Sequence, residues 1–256
     1  MTILSSLTAP VMTKNSLRGY TLLELLIVIA IVAILSTIAY PVFIGVQERA
    51  KALKDMNNLR QIGVATQLYL NDHDGVLFSA TPSWMMQLNP VNPLDPNQTK
   101  YLPSWDVFQS PLDTRAPSDR GDATTPISYG LNQNVAGTGL LVNKIVTPSA
   151  FILFAPAQDS AATVEFQGTA ATAAPGVTVV GIGGSPPAPA PPLPALATSS
   201  PGGNATGGTH SSRKQINALF ADWHSENMLW TTFTNTTASS SDASAGLRWV
   251  PYTPYP

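Results

Sequence analysis

The chain has 256 residues, with 13 Lys and Arg against 15 Asp and Glu, and only 11% of its residues are charged. A formal net charge of -2 gives no support to a nucleic-acid or other polyanionic partner. There is no cysteine, which excludes disulfide staples, thiolate metal ligands and thiol nucleophiles.

Residues 1–19 are weakly polar and carry two cations, Lys14 and Arg18, and no acid. From Tyr20-Thr21-Leu22-Leu23-Glu24 the chain turns apolar and stays so to about Val46. Roughly 20 apolar residues at about 1.5 Å each cross a hydrocarbon core, so a span over about 22–46 is expected. Cations just before the run place the N-terminus in the cytoplasm and the remainder outside it. Glu24 is a carboxylate inside this run. Either it reaches the headgroups at the interface, or it has a function within the membrane.

The string Arg18-Gly19-Tyr20-Thr21-Leu22-Leu23-Glu24 resembles the processing motif of type IV prepilins. In that family a basic leader ends in Gly, and a membrane aspartyl peptidase cuts after it and N-methylates the new first residue. The resemblance implies processing at Arg18, Gly19 and Tyr20, methylation of Tyr20, and assembly through Glu24 and Pro41. Tyr20 departs mildly from the usual Phe and keeps the ring. A secretory signal would instead be cut after the apolar run, at small residues. Met12 begins a leader of more usual length and is the expected start.

Pro41 lacks an N–H and clashes with the carbonyl four residues earlier, so it is expected to kink or loosen the helix. A Pro at this place is also similar to the pilin family. Beyond Val46 the pattern becomes amphipathic. Val46, Ala50, Leu53, Met56, Leu59, Ile62 and Leu68 recur at three- and four-residue steps, and are expected to lie on a globular head. The polar set on the other side includes Lys51, Lys54 and Asp55. Gly75, in Asn71-Asp72-His73-Asp74-Gly75, suits a left-handed helix cap. Such a helix has about 50 residues and would be near 75 Å if straight. Its second half is similar to that of type II secretion pseudopilins.

In the head, Pro82 and Ser83 signal a short helix over 83–88. Residues 127–132 and 151–155 read as strands, and 216–222 with 227–233 as a closing hairpin. Helix first and strands later predict an α+β fold, a long N-terminal helix packed on an antiparallel sheet. Phe108-Gln109-Ser110-Pro111-Leu112-Asp113, Ile127-Ser128-Tyr129-Gly130-Leu131-Asn132 and Phe220-Ala221-Asp222-Trp223-His224 resemble motifs of a pseudopilin-like group expanded in planctomycetes, verrucomicrobia and relatives. The last motif usually has Gly where this chain has Trp223, which questions any tight turn there.

His210, Asp222, His224 and Glu226 admit a metal or hydrolytic site, but the favoured reading is a hairpin turn whose Asp bonds backbone amides and whose His packs at the turn. Asp72 and Asp74 resemble a fragment of a calcium loop without its later ligands, and helix capping is the favoured reading of them. No cofactor is expected. Calcium is the one ion left open, with Asp72, Asp74, Asp222 and His224 as candidates. Residues 160–209, rich in Ala, Pro, Gly, Ser and Thr, cannot bury enough apolar surface to offset ordering entropy. The tail ends in Trp249, Tyr252 and Tyr255, aromatics that can dock on the head.

The chain therefore divides into a leader (1–19), a helix (20–75), the first part of a head (76–159), a disordered insertion (160–209), a closing hairpin (210–234) and a tail (235–256). The resemblance implies a pseudopilin of a type II secretion-like filament, not an enzyme. Its partners would be a prepilin peptidase, further copies and other pseudopilins, and an inner-membrane assembly platform. It would sit in the inner membrane with a periplasmic head before entering a filament. A minor pilin for adhesion, motility or DNA uptake is the alternative, and a membrane-anchored hydrolase is the reading from a different class.

Overall fold

The computed structural model describes residues 20–79, 82–90, 99–122, 124–135, 138–158, 163–166, 168–170, 176–177, 207–235, 239–249 and 251. Two compact units divide the chain, Met1–Gly45 and Val46–Pro256. Helix α1 runs over Leu22–Asp72, through Pro41.

In the first unit, α1 is long and apolar enough to cross a membrane. Its apolar side chains from Leu22 to Ile44 are all exposed. The hydroxyls of Ser36 and Thr37 donate to the carbonyl oxygens of Val32 (2.8 Å) and Ile34 (2.7 Å). An apolar surround offers no water, so such internal bonding keeps these hydroxyls tolerable there.

In the second unit, α1 buries one face against a sheet. Leu59, Ile62, Ala65, Tyr69 and Leu70 enter the main core with Phe78, Trp84, Phe108, Tyr129 and Phe154. The expected stripe is only partly this face. Leu59 and Ile62 are fully buried, whereas Val46, Leu53 and Leu68 are exposed and Asp55 is buried. Steps of three and four fit two opposite faces here, and the head covers the one that carries Asp55, Asn58 and Leu59. Gly63 lets the sheet approach, since a Cβ there would stand 3.0 Å from a Leu219 methyl. Gly75, at φ 77°, closes the helix as expected, donating its N–H to Leu70 O at 2.8 Å.

Among the described residues five strands form one sheet in the order β3-β1-β2-β4-β5. They are β1 Tyr129–Asn132, β2 Ile152–Pro156, β3 Gly176–Val177, β4 Gln215–Phe220 and β5 Ser225–Leu229. The β1–β2, β2–β4 and β4–β5 pairs are antiparallel, as expected for an α+β head. Edge strand β3 is parallel to β1, a departure from a purely antiparallel sheet. Along β4 the alternation is regular. Leu219 faces the α1 core, and Ile216, Ala218 and Phe220 face a second core with Met228, Trp230, Phe233 and Trp249. A register shift between Ile152 and Phe154 interrupts that alternation in β2, and Leu153 and Phe154 both enter the first core.

Helix α2, Trp84–Leu88, starts after Ser83 as expected. The hairpin is shorter than expected, because Trp230–Thr234 is a helical turn, α3, rather than strand. Trp230 and Phe233, three apart on that turn, stack at 5.6 Å within the second core. In the tail, Trp249 is fully buried and its indole N–H donates to Phe233 O at 3.2 Å. Tyr252 and Tyr255 lie outside the described residues.

The ends of the 160–209 segment belong to the head, so an insertion of that full length is too long. Phe166 and Ala170 are buried, Gly168 O accepts from Ile127 N at 2.9 Å and Ala170 N donates to Thr125 O at 2.9 Å. Residues 178–206 lie outside the described residues. Deleting 181–200 is expected to shift the melting temperature by under about 5 °C, because loop length enters stability only logarithmically. Deleting 166–177 is expected to lower it well beyond that. Circular dichroism melting checks both, and a large fall for 181–200 would make that stretch a structural element.

Candidate functional site

Arg18 and Gly19 lie outside the described residues. Tyr20 is exposed, and Thr21 precedes α1. The Thr21 carbonyl accepts from Leu25 N at 3.2 Å. Its hydroxyl accepts from Glu24 N (3.2 Å), and a Glu24 carboxylate oxygen accepts from Thr21 N (2.8 Å) and from the Thr21 hydroxyl (3.0 Å). This is a reciprocal capping box, which satisfies helix N–H groups otherwise left without partners. The Thr-x-x-Glu spacing carried that signal in the sequence. Glu24 therefore has a local role besides any role between subunits. It makes no ion pair among the described residues.

A second polar centre sits where α1 meets the sheet. The Asp55 carboxylate, fully buried, accepts from the Ser110 hydroxyl (2.5 Å), the Tyr129 hydroxyl (2.8 Å) and the Asn217 amide (2.8 Å). Asn217 also donates to Ala52 O at 2.8 Å and accepts from the Asn227 amide at 2.9 Å. Asn227 reaches His210 Nε2 at 2.5 Å. Burial is the larger influence on Asp55 and raises its carboxyl above the usual range, against the lowering by its three donors. Burial also pushes the Tyr129 phenol well up, and it lowers His210. The arrangement ties three distant stretches of chain to one oxygen pair on α1. Its only sequence signal was spacing, since Asp55 stands four and seven residues before Leu59 and Ile62.

The metal candidates separate. Asp222 and His224 hydrogen-bond each other across the β4–β5 turn, and the imidazole stacks on Phe220 at 4.2 Å. Glu226 stands 4.0 Å from His224, while His210 belongs to the Asp55 network. Asp72 accepts from the Tyr101 hydroxyl at 2.9 Å. Burial, with Asp72 beside it, pushes that phenol up to about 12. Among the described residues no group of three or more His, Asp or Glu is placed to hold a metal ion.

The tight turn survives without Gly. Trp223 N donates to Phe220 O at 3.0 Å and Phe220 N to His224 O at 2.9 Å, with Trp223 at φ 74°. That is where short hairpin loops ordinarily place Gly. A bulky residue there stores strain on the order of 1–3 kcal/mol.

The family described as prokaryotic N-terminal methylation motif matches residues 14–40. The type IV major pilin protein PilA of Myxococcus xanthus (strain DK1622) is 42% identical over 57 residues, 22% of this chain and 26% of that protein. The chain thus matches about a quarter of that curated relative's length. No solved structure matches the chain.

Proposed function

We propose that this chain, type IV pilin-like in its N-terminal segment, is a structural filament subunit that a prepilin peptidase cuts after Gly19 and methylates at Tyr20. The observation that carries the reading is an α1 surface that is apolar and exposed on all sides from Leu22 to Ile44, with one carboxylate at its start. A helix apolar all round belongs in a membrane or a bundle of like helices. The first suits the subunit before assembly, the second the subunit within a filament. The head would stand in the periplasm, and the partners would be further copies and an inner-membrane assembly platform.

Between filament types we favour a pseudopilin of a type II secretion-like system. The head motifs and the lack of a disulfide staple support it. The match to a major pilin favours the second reading, a pilus subunit. A deletion strain separates the two. Loss of secreted proteins with surface filaments intact supports secretion, and loss of surface pili or twitching supports the pilus.

Assembly itself is tested at Glu24. In a stack of subunits its carboxylate would face the cationic Tyr20 amine of a neighbour. Each charge alone in apolar surroundings is costly, so correct register satisfies both. Glu24→Val removes the charge and the capping box. Glu24→Gln removes only the charge, because Gln also completes a capping box. Both variants are expected to be cut and membrane-inserted, and neither to enter filaments as the only copy, read by filament shearing and crosslinking. If Glu24→Gln assembles like wild type, the carboxylate serves the cap alone.

A further inference from the structure

Trp223 borders an open cleft of about 360 Å³. The rest of its lining comes from the end of α1 (Gln67, Leu70 and Asn71), from Asp74 and Gly75 in the following turn, and from Val142. The indole packs partly against the main core, which fixes the ring while leaving part of it open. The side chains of Gln67, Asn71 and Asp74 make no hydrogen bond or ion pair among the described residues.

We propose that this cleft binds a pyranose ring of a neutral glycan. Such a ring has an apolar C–H face and a rim of hydroxyls. The C–H face needs a flat aromatic platform, and Trp223 supplies one that is held in place. Hydroxyls both donate and accept, so they need mixed partners. The amides of Gln67 and Asn71 offer both functions, and the Asp74 carboxylate accepts. The volume lies at the small end of ligand sites, about 300–1,000 Å³, which suits one or two rings in an open groove.

The backbone points the same way. Gly at position 223 would form the same turn without strain. A strained residue held at a cleft points to a use for its side chain there. Competing ligands fit less well. A quaternary ammonium is recognised by a cage of several aromatics, and this cleft's lining holds a single aromatic, Trp223. Calcium takes about 6–8 oxygen ligands, and the described residues hold no cluster of metal-binding side chains here. The inference is independent of filament assembly.

The test uses the full chain in detergent micelles. Trp84, Trp105, Trp230 and Trp249 are at most 3% exposed, so acrylamide quenching of tryptophan emission reports chiefly on Trp223. The probes are the methyl glycosides and β-linked trisaccharides of glucose, galactose and N-acetylglucosamine, with choline chloride and calcium chloride as controls. At least one saccharide is expected to protect the emission at millimolar concentration. Calorimetric binding of that saccharide should vanish in Trp223→Gly and weaken roughly tenfold in Asn71→Ala, the loss of one good hydrogen bond. Both variants should keep the far-ultraviolet circular dichroism spectrum and melting transition of wild type. The proposal is overturned if no saccharide protects, if binding survives Trp223→Gly, or if choline or calcium protects where saccharides do not.

Discussion

The expected result of Gly19→Leu is a precursor that stays in the membrane uncut. A peptidase acting at the membrane boundary must bring its two catalytic carboxylates against the backbone at the scissile bond. Gly has no side chain to hold that backbone away, and a leucyl side chain on the leaving side does. The proposed cut would precede the apolar run, and no second Gly of this kind stands at its start. Without the cut no free amine forms on Tyr20, and the leader would stay attached to the helix start. The variant should therefore insert normally, give no chain beginning at N-methylated Tyr20, and yield no filament. Intact-mass spectrometry of membrane extracts reads all forms. Accumulation of chain beginning at Tyr20 would overturn the processing site. The family match over residues 14–40 includes this Gly.

The second large effect is expected at Asp55. Asp55→Ala leaves the Ser110, Tyr129 and Asn217 donors without their acceptor in a fully buried site. Losses of this kind cost roughly 3–5 kcal/mol, a large share of an ordinary domain's stability. At about 2–4 °C per kcal/mol, the head should melt on the order of 10 °C lower. Asp55→Asn is milder. Its oxygen can keep Ser110 and Tyr129, but its NH₂ group meets the Asn217 amide, which already holds Ala52 and is tied to Asn227.

The pH dependence separates charge from shape. Burial raises the Asp55 carboxyl in the folded chain. Below about pH 3.9, the ordinary carboxyl value, both folded and unfolded chains hold the proton. As pH rises from there the unfolded chain ionises first, so the stability from this group is lost until the raised folded value is passed. Asp242 titrates the other way. Hydrogen bonds from Arg248 lower its carboxyl, so its contribution is lost as pH falls. The difference between wild type and Asp55→Asn isolates Asp55. Melting temperatures between about pH 3 and 8 should fall with pH more steeply in wild type. Equal slopes would assign the titration to another group.

The membrane-length helix, its carboxylate and the processing motif were set by the sequence alone. Each is a property of one continuous stretch, where apolar content and spacing add up locally without any partner. The helix end at Gly75, the α2 start after Ser83 and most of the β4–β5 hairpin belong to the same class, for the same reason. Tertiary structure decided the rest. Two faces of α1 beyond Val46 carry comparable apolar spacing, and only the docked sheet selects the one with Leu59 and Ile62 and leaves Leu53 and Leu68 outside. Asp55 reads as a surface charge until Ser110, Tyr129 and Asn217, between 55 and 162 residues away, converge on it. The two-residue β3 is too short to leave a periodic signal and exists through its pairing with β1. Trp223 holds a turn that local preference assigns to Gly. The hairpin closes around it because the pairing of β4 with β5 and the packing of the indole on the core outweigh one strained residue.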